Sequence, residues 1–553
     1  MLLFLCLLLC VYAENQYIAM QLKAGTDPHA FAREHHFKLI KKIDLVDEEH
    51  SFYKFELTHA STRDVDSLDN VKWSELQVPR MQHTRVPDPL YAQQWHLHSH
   101  RFGVDADKCS NVTGKGIVIA IVDDGLQHAH PDLRDRYDAL NSRNFNGGIE
   151  TDPSPQHSRD GHGTAAAGVA VAQGNNGHCG RGVAPGAKVA GIRLIAGPVD
   201  DATETEALTY NALGSIDIFS CSWGPMDSGD VFGPSGYMLK LALARYVGAK
   251  RGRGGKGGIY VWAAGNGRHR GDSCAYDAYA NSPYTFPIGA IDAEGKQSWY
   301  SESCSNMIGV APSSGANKGI TTIDLMGNAG YASGECYDRF GGTSSAAPLA
   351  AGIFARILEE RPDLTWRDLM HVVAKAATLI QPTDASWHWN AAGYHHSDKF
   401  GFGLLKVPPL LVAARKHKLI NPDQAMLILP SHVFPGAKGS MPFNFTWELE
   451  NHNRDISMVE QVMIRVNIKS ENRGRIVVKL VSPSGTVSVL APPRSNDYGK
   501  NWPMDGWALN TRHFFGETQI DGTWTFMAMD HENYAAHAGS VTQLQFNLFG
   551  CKK

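Results

Sequence analysis

A chain of 553 residues is too long for one compact core, so two or three domains are expected. Its 43% hydrophobic and 20% charged residues are ordinary for a globular protein. A formal net charge of -4 gives no sign of a nucleic-acid partner.

The chain opens with an apolar run, Leu2 to Val11, that ends in small residues up to Ala13. The run is too short to span a bilayer and reads as a signal peptide covering residues 1–13. No later stretch reaches the roughly 20 apolar residues of a spanning helix, so no transmembrane segment is expected and the mature chain should be secreted or lumenal. Of nine cysteines, Cys6 and Cys10 leave with the signal. The remaining seven are Cys109, Cys179, Cys221, Cys274, Cys304, Cys336 and Cys551. An odd count in an oxidising compartment leaves at least one thiol free or bridged to another chain. No CxxC pair occurs, so zinc is not suggested. Sequons at Asn111 and Asn444 fit a glycosylated, secreted protein.

Residues 14–80 mix strand and helix, with a strand at Tyr17–Leu22 and a short helix over Asp27–His35 capped by Thr26 or Asp27. This is a small α+β unit. From Ile117 the texture becomes buried apolar runs between Gly-rich turns. Strands are expected at Ile117–Val122, Val189–Leu194, Ile216–Ser220 and Ile259–Ala263, with helices at Glu204–Leu213 and Tyr237–Val247. That alternation implies a parallel sheet covered on both faces. The Gly-rich, basic Arg251–Gly258 runs straight into a strand and reads as a surface loop. After Lys418 no long helix is visible. Strands at Val459–Ile468, Gly474–Val481 and Gly522–Ala528, with turns such as Ser482–Gly485, predict a separate β-sandwich.

Three short motifs fall at strand ends or helix starts, where an α/β sheet presents its working residues. They are Val122-Asp-Asp-Gly125, Gly161-His-Gly-Thr164 and Gly341-Gly-Thr-Ser-Ser-Ala-Ala-Pro348. A serine hydroxyl needs a base to take its proton, and the base needs a buried carboxylate to hold its tautomer. Each motif alone is common in turns and caps. Together, in the order Asp, His, Ser, they resemble the subtilase superfamily. Two serines are adjacent, and Ser345 competes with Ser344 for the nucleophile's place.

Further segments narrow the resemblance: Trp95 in Gln-Gln-Trp-His-Leu, Ser222-Trp-Gly-Pro225, Val261-Trp-Ala-Ala-Gly-Asn-Gly267, Asp272-Ser-Cys274 and Trp299-Tyr-Ser-Glu-Ser-Cys304 all resemble the kexin/furin proprotein convertases. Ser482–Thr486, Trp507-Ala and Gly522-Thr-Trp524 suggest the family's P domain. The resemblance implies a propeptide over 14–80, an α/β subtilisin-like parallel-sheet catalytic domain over 81–418 and an all-β P domain over 419–553. The propeptide would act as a tethered inhibitor, and its end is Arg80 or Arg85, neither preceded by a second base.

By the same resemblance, Asp123 orients the base His162, Ser344 is the nucleophile and Asn266 donates to the oxyanion. Asp227 and Asp277 line the P1 pocket, Asp124 and Asp160 serve P2, and Glu204 matches a P4 acid. The backbone of Ser222, Trp223 and Gly224 pairs with the substrate as an added strand. Furin's acid before the next Gly-Pro is Phe232 here, which weakens P4 selection and favours a dibasic preference. Two Ca2+ sites are implied. Asp88, Asp132 and Asn176, with carbonyls near Gln173, His178 and Gly180, form one; Asp227, Asp272 and Glu302 form the other. Cys179 with Cys336 and Cys274 with Cys304 match the family's disulfides, Cys221 reads as an inert core thiol, and the P domain lacks its own bridge. The expected protein is a monomeric endoprotease acting on protein or peptide substrates with basic cleavage sites. A broader-specificity subtilase and a non-catalytic binding protein are the alternatives.

Overall fold

The structure is a computed structural model that describes residues 17–44, 51–58, 65–77, 86–98, 100–210, 214–248, 252–327, 329–435, 439–452, 455–532 and 539–553. The expected signal peptide and both candidate propeptide ends, Arg80 and Arg85, lie outside the described residues. The chain divides into two compact units, 1–84 and 85–553.

In the first unit, β1 (Tyr17–Leu22), β2 (Phe37–Asp44), β3 (Ser51–Leu57) and β4 (Val71–Gln77) form an antiparallel sheet in the order β2-β3-β1-β4. Helix α1 (Pro28–Glu34) starts where Asp27 Oδ1 accepts the His29 N–H at 3.0 Å, with Pro28 at a position that needs no N–H donor. Phe31 of α1 packs on Met20, Phe37 and Phe55, which are buried from the sheet.

The second unit is built on β5 (Val118–Asp123), β6 (Arg143–Asn144), β7 (Lys188–Arg193), β8 (Ile218–Cys221), β9 (Ile259–Ala263), β10 (Thr285–Ile291) and β11 (Gly309–Pro312). All pair in parallel, in the order β11-β10-β9-β8-β5-β7-β6. Strands β5, β8, β9, β10 and β11 are buried along their whole length, as their unbroken apolar runs require. Helices α2 (His162–Val171), α3 (Asp201–Thr209), α4 (Tyr237–Leu243), α5 (Thr343–Glu360), α6 (Trp366–Ala376) and α7 (Val407–Lys416) complete this part. Helix α3 starts earlier than expected because Asp200 caps it, accepting the Thr203 N–H at 2.8 Å. Two hairpins pair β12 (Ile320–Ile323) with β13 (Cys336–Phe340) and β14 (Trp387–Trp389) with β15 (His395–Ser397).

The C-terminal part is a sandwich. Strands β16 (Gln424–Ile428), β17 (His432–Val433), β18 (Phe443–Leu449), β19 (Ile456–Lys469), β20 (Ile476–Val481), β21 (Val487–Ala491), β22 (Trp507–Thr511), β23 (Gly522–Asp530) and β24 (Ser540–Lys552) make two antiparallel sheets. One runs β16-β24-β19-β22, with β17 also on β24; the other runs β18-β23-β20-β21. Alternation along β23 buries Trp524, Phe526 and Ala528 between them.

The sandwich does not rest on its own core alone. Ala264, Tyr276 and Met307 from the parallel-sheet side join its apolar cluster. A buried ionic network also crosses the seam: Glu460 on β19 accepts from Arg367 Nε at 2.9 Å and meets His371 Nε2 at 2.8 Å, both residues on α6. Burial opposes the Glu460 charge, but His371 and Arg367 outweigh it and hold the carboxyl down at about 2. Cys551 lies beside this network, buried and unpaired; Cys221 is likewise free and buried, and Cys109 is free and half-buried. Among the described residues no helix is long and apolar enough to cross a membrane.

Candidate active site

A cleft of about 460 Å³ in the second unit is lined by Asp123, Asp124, Arg159, Asp160, His162, Ile195, Ala196, Gly197 and Ser222. Asp123 closes β5, His162 opens α2 and Ser344 is the second residue of α5. Asp123 is 1% exposed, and its oxygens lie 2.9 and 3.0 Å from His162 Nδ1. That contact places the Nδ1 proton toward the carboxylate and leaves Nε2 as the basic nitrogen. Burial works against a charged His162, but the Asp123 charge and hydrogen bond, with Asp124 behind them, outweigh it and raise its pKa. The Phe340 ring meets the imidazole edge-on at 5.5 Å. Gly163 has to be glycine, since a Cβ there would fall 2.3 Å from Gly125 O and 2.8 Å from Asp123 Cβ.

The two serines are told apart by their surroundings. Ser344 Oγ reaches the cleft wall, 3.3 Å from Ser222 O. Ser345 is fully buried, with Oγ 2.7 Å from Ser313 Oγ and 3.2 Å from Gly342 O. Gly342 precedes them at φ 72°, the left-handed region that favours glycine. Asn266 follows β9, and its Oδ1 accepts from Thr343 N at 2.8 Å and Thr343 Oγ1 at 3.1 Å. Anchoring the oxygen fixes the amide's orientation and leaves Nδ2 to donate elsewhere.

The acids differ in how far their charge is already compensated. Asp124 accepts from the backbone N–H of His162 at 3.1 Å and of Gly163 at 2.8 Å, so it caps α2. Burial and then Asp123 push its carboxyl up to about 7. Asp160 is paired with Arg193 at 2.9 Å, both almost fully buried. Glu204 is buried and pushed up to about 7 by burial, with the Tyr279 hydroxyl as its hydrogen-bond partner and Oε1 left without one. Asp277 Oδ1 accepts from Tyr279 N at 2.7 Å and Ala280 N at 3.4 Å. Burial first, and then Asp227 and Asp272, push Asp277 up to about 8. Trp223 anchors its segment by donating Nε1–H to Val122 O at 2.8 Å, while its own carbonyl accepts from Trp262 Nε1. Ser222 O and Gly224 stand beside Ser344 and Asp277. Phe232 does not reach this cleft; its ring lies among Tyr276, Trp502 and Trp507.

Both sets of oxygen ligands fit a hard cation. In the first, Asp88 accepts from Asn175, Asn176 and Gly177 backbone N–H groups and Asp132 Oδ1 accepts from Asn176 Nδ2 at 2.7 Å. Asp132 Oδ2 and Gln173 Oε1 are buried with no hydrogen-bond partner, and burial lifts the Asp132 carboxyl to about 7. In the second, Asp227 accepts from Asn266 N, Glu302 from Gly267 N and Asp272 from Gly229 N, each at 2.8 Å. Burial raises all three; repulsion from the neighbouring acids adds to it at Asp227 and at Glu302, which goes well above the usual range, while Arg494 opposes it at Asp272. A divalent cation would relieve that repulsion and use the idle oxygens. Cys179 is bonded to Cys336 and Cys274 to Cys304. Asn111 and Asn444 are exposed.

Arg193, Tyr279, Phe340 and Thr343 complete the site and were not singled out in the sequence. Only Phe340 and Thr343 could have been, since they flank the glycines before Ser344.

Residues 114–403 match the subtilase family and residues 459–548 the proprotein convertase P-domain. The chain belongs to the subtilase family. It falls in the kexin/furin-type branch that carries a P domain. The subtilase chain is 37% identical to a dibasic-processing endoprotease of Schizosaccharomyces pombe, covering 85% of this chain and 66% of that protein. It is 36% identical to kexin of Saccharomyces cerevisiae, over 84% of this chain and 56% of that one. It is 37% identical to the human proprotein convertase subtilisin/kexin type 7, over 84% and 60%. The chain thus spans about half to two thirds of the length of the curated relatives it matches first. A solved serine protease of Aeromonas sobria shares the fold, with a TM-score of 0.74 at 23% identity, covering 84% of this chain and 96% of that one.

Proposed function

We propose that this subtilase is a secreted or lumenal, calcium-dependent serine endoprotease that cuts polypeptides after basic residues, dibasic pairs above all. The observation that carries the reading is the pairing of buried Asp123 with His162 in a cleft whose wall residue Ser222 accepts a hydrogen bond from the helix-opening Ser344, while its neighbour Ser345 is sealed in the core.

In this reading His162 Nε2 takes the Ser344 hydroxyl proton as Oγ attacks the scissile carbonyl carbon. The carbonyl π pair moves to oxygen, where Asn266 Nδ2 and the backbone N–H at the start of α5 stabilise it. Imidazolium then gives its proton to the leaving amine, the C–N bond breaks and an acyl-enzyme remains. Water, deprotonated by His162, releases the acid by the reverse route. Asp123 holds the tautomer throughout. The Ser222–Gly224 backbone aligns the substrate as an extra strand, Asp227 and Asp277 receive the P1 cation, Asp124 and Asp160 border P2, and Glu204 lies toward P4. Ca2+ would be held by Asp88, Asp132 and Asn176 and by Asp227, Asp272 and Glu302, where it supplies charge neutralisation and rigidity. The first unit serves as the propeptide and inhibitor, with a cut at Arg80 or Arg85.

Fluorophosphonate labelling tests the assignment. Wild type and Ser345→Ala should label, and Ser344→Ala should neither label nor mature. Labelling of Ser344→Ala would reject the nucleophile, and no labelling of wild type would favour a binding protein.

A further inference from the structure

Both acids read as the P1 pocket sit on segments that meet away from the cleft. Gly233 N donates to Tyr276 O at 2.9 Å and Gly233 O accepts from Ala278 N at 2.9 Å, so the loop after Asp227 is stitched to the segment carrying Asp277. Next to that stitch stands Phe232. Its ring centre is 5.0 Å from that of Tyr276, 5.4 Å from Trp502 and 5.0 Å from Trp507. The guanidinium groups of Arg473 and Arg494, both from the sandwich, lie over the same ring at 4.9 and 4.8 Å. These arginines also grip the loop's backbone: Arg494 Nη1 donates to Val231 O at 2.7 Å and Arg473 Nη2 donates to Asp230 O. Asp497 holds both of them from behind. Asn496 adds a hydrogen bond to Arg270 O at 2.7 Å.

We propose that Phe232, Arg473 and Arg494 form a clamp through which the sandwich sets the spacing of Asp227 and Asp277, which makes them positioning residues for P1 recognition. The proposal rests on the reading of those two acids as the P1 pocket. It also accounts for a phenylalanine where furin has an acid: position 232 serves the sandwich, so an acid placed there lies in the arginine clamp rather than against a P4 side chain.

The test uses the full mature enzyme at saturating calcium and quenched-fluorescence peptides with arginine or the uncharged isostere citrulline at P1, each with and without P4 arginine. Melting temperature is read alongside. Phe232→Ala should raise KM for P1 arginine and cut the arginine-to-citrulline ratio of kcat/KM by about tenfold, the scale of two cation–ring contacts, with kcat near wild type. Phe232→Tyr, which keeps the ring face, should restore both. Phe232→Asp should gain no P4 arginine preference. If Phe232→Ala does not fold, Arg473→Gln and Arg494→Lys are read for the same KM rise and ratio loss. A wild type that prefers arginine, with variants that prefer it equally, overturns the clamp alone, as does a new P4 preference in Phe232→Asp. A wild type indifferent to P1 charge overturns the pocket reading beneath it.

Discussion

Replacing Asp277 by asparagine isolates the charge proposed for P1 with little disturbance to the fold. Oδ1 of Asp277 is tied down by the Tyr279 and Ala280 N–H groups, and an amide oxygen can keep those bonds. Oδ2 points toward Gly224, where even a Cβ would come within 3.0 Å of it, so glycine leaves that oxygen open to an incoming side chain. Losing one partner of a desolvated charge pair costs about 2–5 kcal/mol. At about 1.4 kcal/mol per tenfold, kcat/KM for a P1 arginine peptide should fall roughly 30- to 4,000-fold. The citrulline peptide, which brings no charge, should change less than about tenfold on that scale. Because burial raises the Asp277 carboxyl above the usual range, the wild-type kcat/KM for arginine should also climb with pH as the pocket ionises. The Asp277→Asn enzyme lacks that group, so its climb should be shallower. The assay is initial-rate kinetics on the matched peptides from pH 5.5 to 9, with calcium saturating. An arginine-to-citrulline ratio that survives Asp277→Asn would refute the assignment.

Chelation by EGTA should lower the melting temperature and abolish peptidase activity, since a cation at a hundredfold excess over its dissociation constant stabilises by about 2.7 kcal/mol. Burial raises the folded pKa of Asp132 to about 7, so without a cation stability falls as pH rises from the unfolded value of about 4 through 7. The EGTA effect should therefore be larger at pH 8 than at pH 6, and no shift at either pH would count against both sites. Asp124→Asn removes a charge that raises His162, so the acid limb of the kcat/KM profile should move to lower pH, against no movement if Asp124 acts only as a cap. Glu460→Gln leaves Arg367 and His371 buried without their counter-charge and should cost about 3–5 kcal/mol in thermal unfolding. Glu460 has its folded pKa depressed to about 2, so its contribution is present above the unfolded value of about 4 and lost as pH falls through 2; the gap between wild type and variant should close in acid.

The parallel sheet was readable, and the three motifs proposed as the triad could be picked out, because each depends on local sequence. Short unbroken apolar runs such as Val118–Val122, rich in β-branched residues and bounded by glycines, read as strands buried on both faces, and Asp123, His162 and Ser344 stand at element ends with glycines close by. The seam between sheet and sandwich was not readable. Arg367 and Glu460 are 93 residues apart, and nothing near either marks them as a pair; on sequence each is one more surface charge. The same holds for Arg193, which neutralises Asp160 across 33 residues. Phe232 was noticed only as a missing acid, because its partners Arg473, Arg494, Trp502 and Trp507 all lie in another domain. Helix α3 was placed several residues late because its periodic apolar residues begin after its cap, Asp200. In each case the missing information is a contact distant in sequence, and composition carries no trace of it.

Charge compensation orders the subsites more finely than the count of acids does. Asp160 already carries Arg193, and its oxygen also takes two backbone N–H groups, so a P2 cation finds little unspent charge there. Asp124 spends both oxygens on the start of α2 and has its pKa raised toward neutrality. Glu204 keeps an idle oxygen, with burial and then Asp201 raising its carboxyl to about 7 and the Tyr279 hydroxyl as its partner. Asp277 combines burial, an oxygen that faces Gly224 of the proposed substrate strand, and repulsion from both Asp227 and Asp272 that an entering cation would relieve. Desolvated charge that lacks a protein partner is where a substrate cation gains most. Selection should accordingly be steepest at P1, with a second base at P2 preferred but not required, an order that tolerates Pro79-Arg80 or Thr84-Arg85 at the proposed processing site.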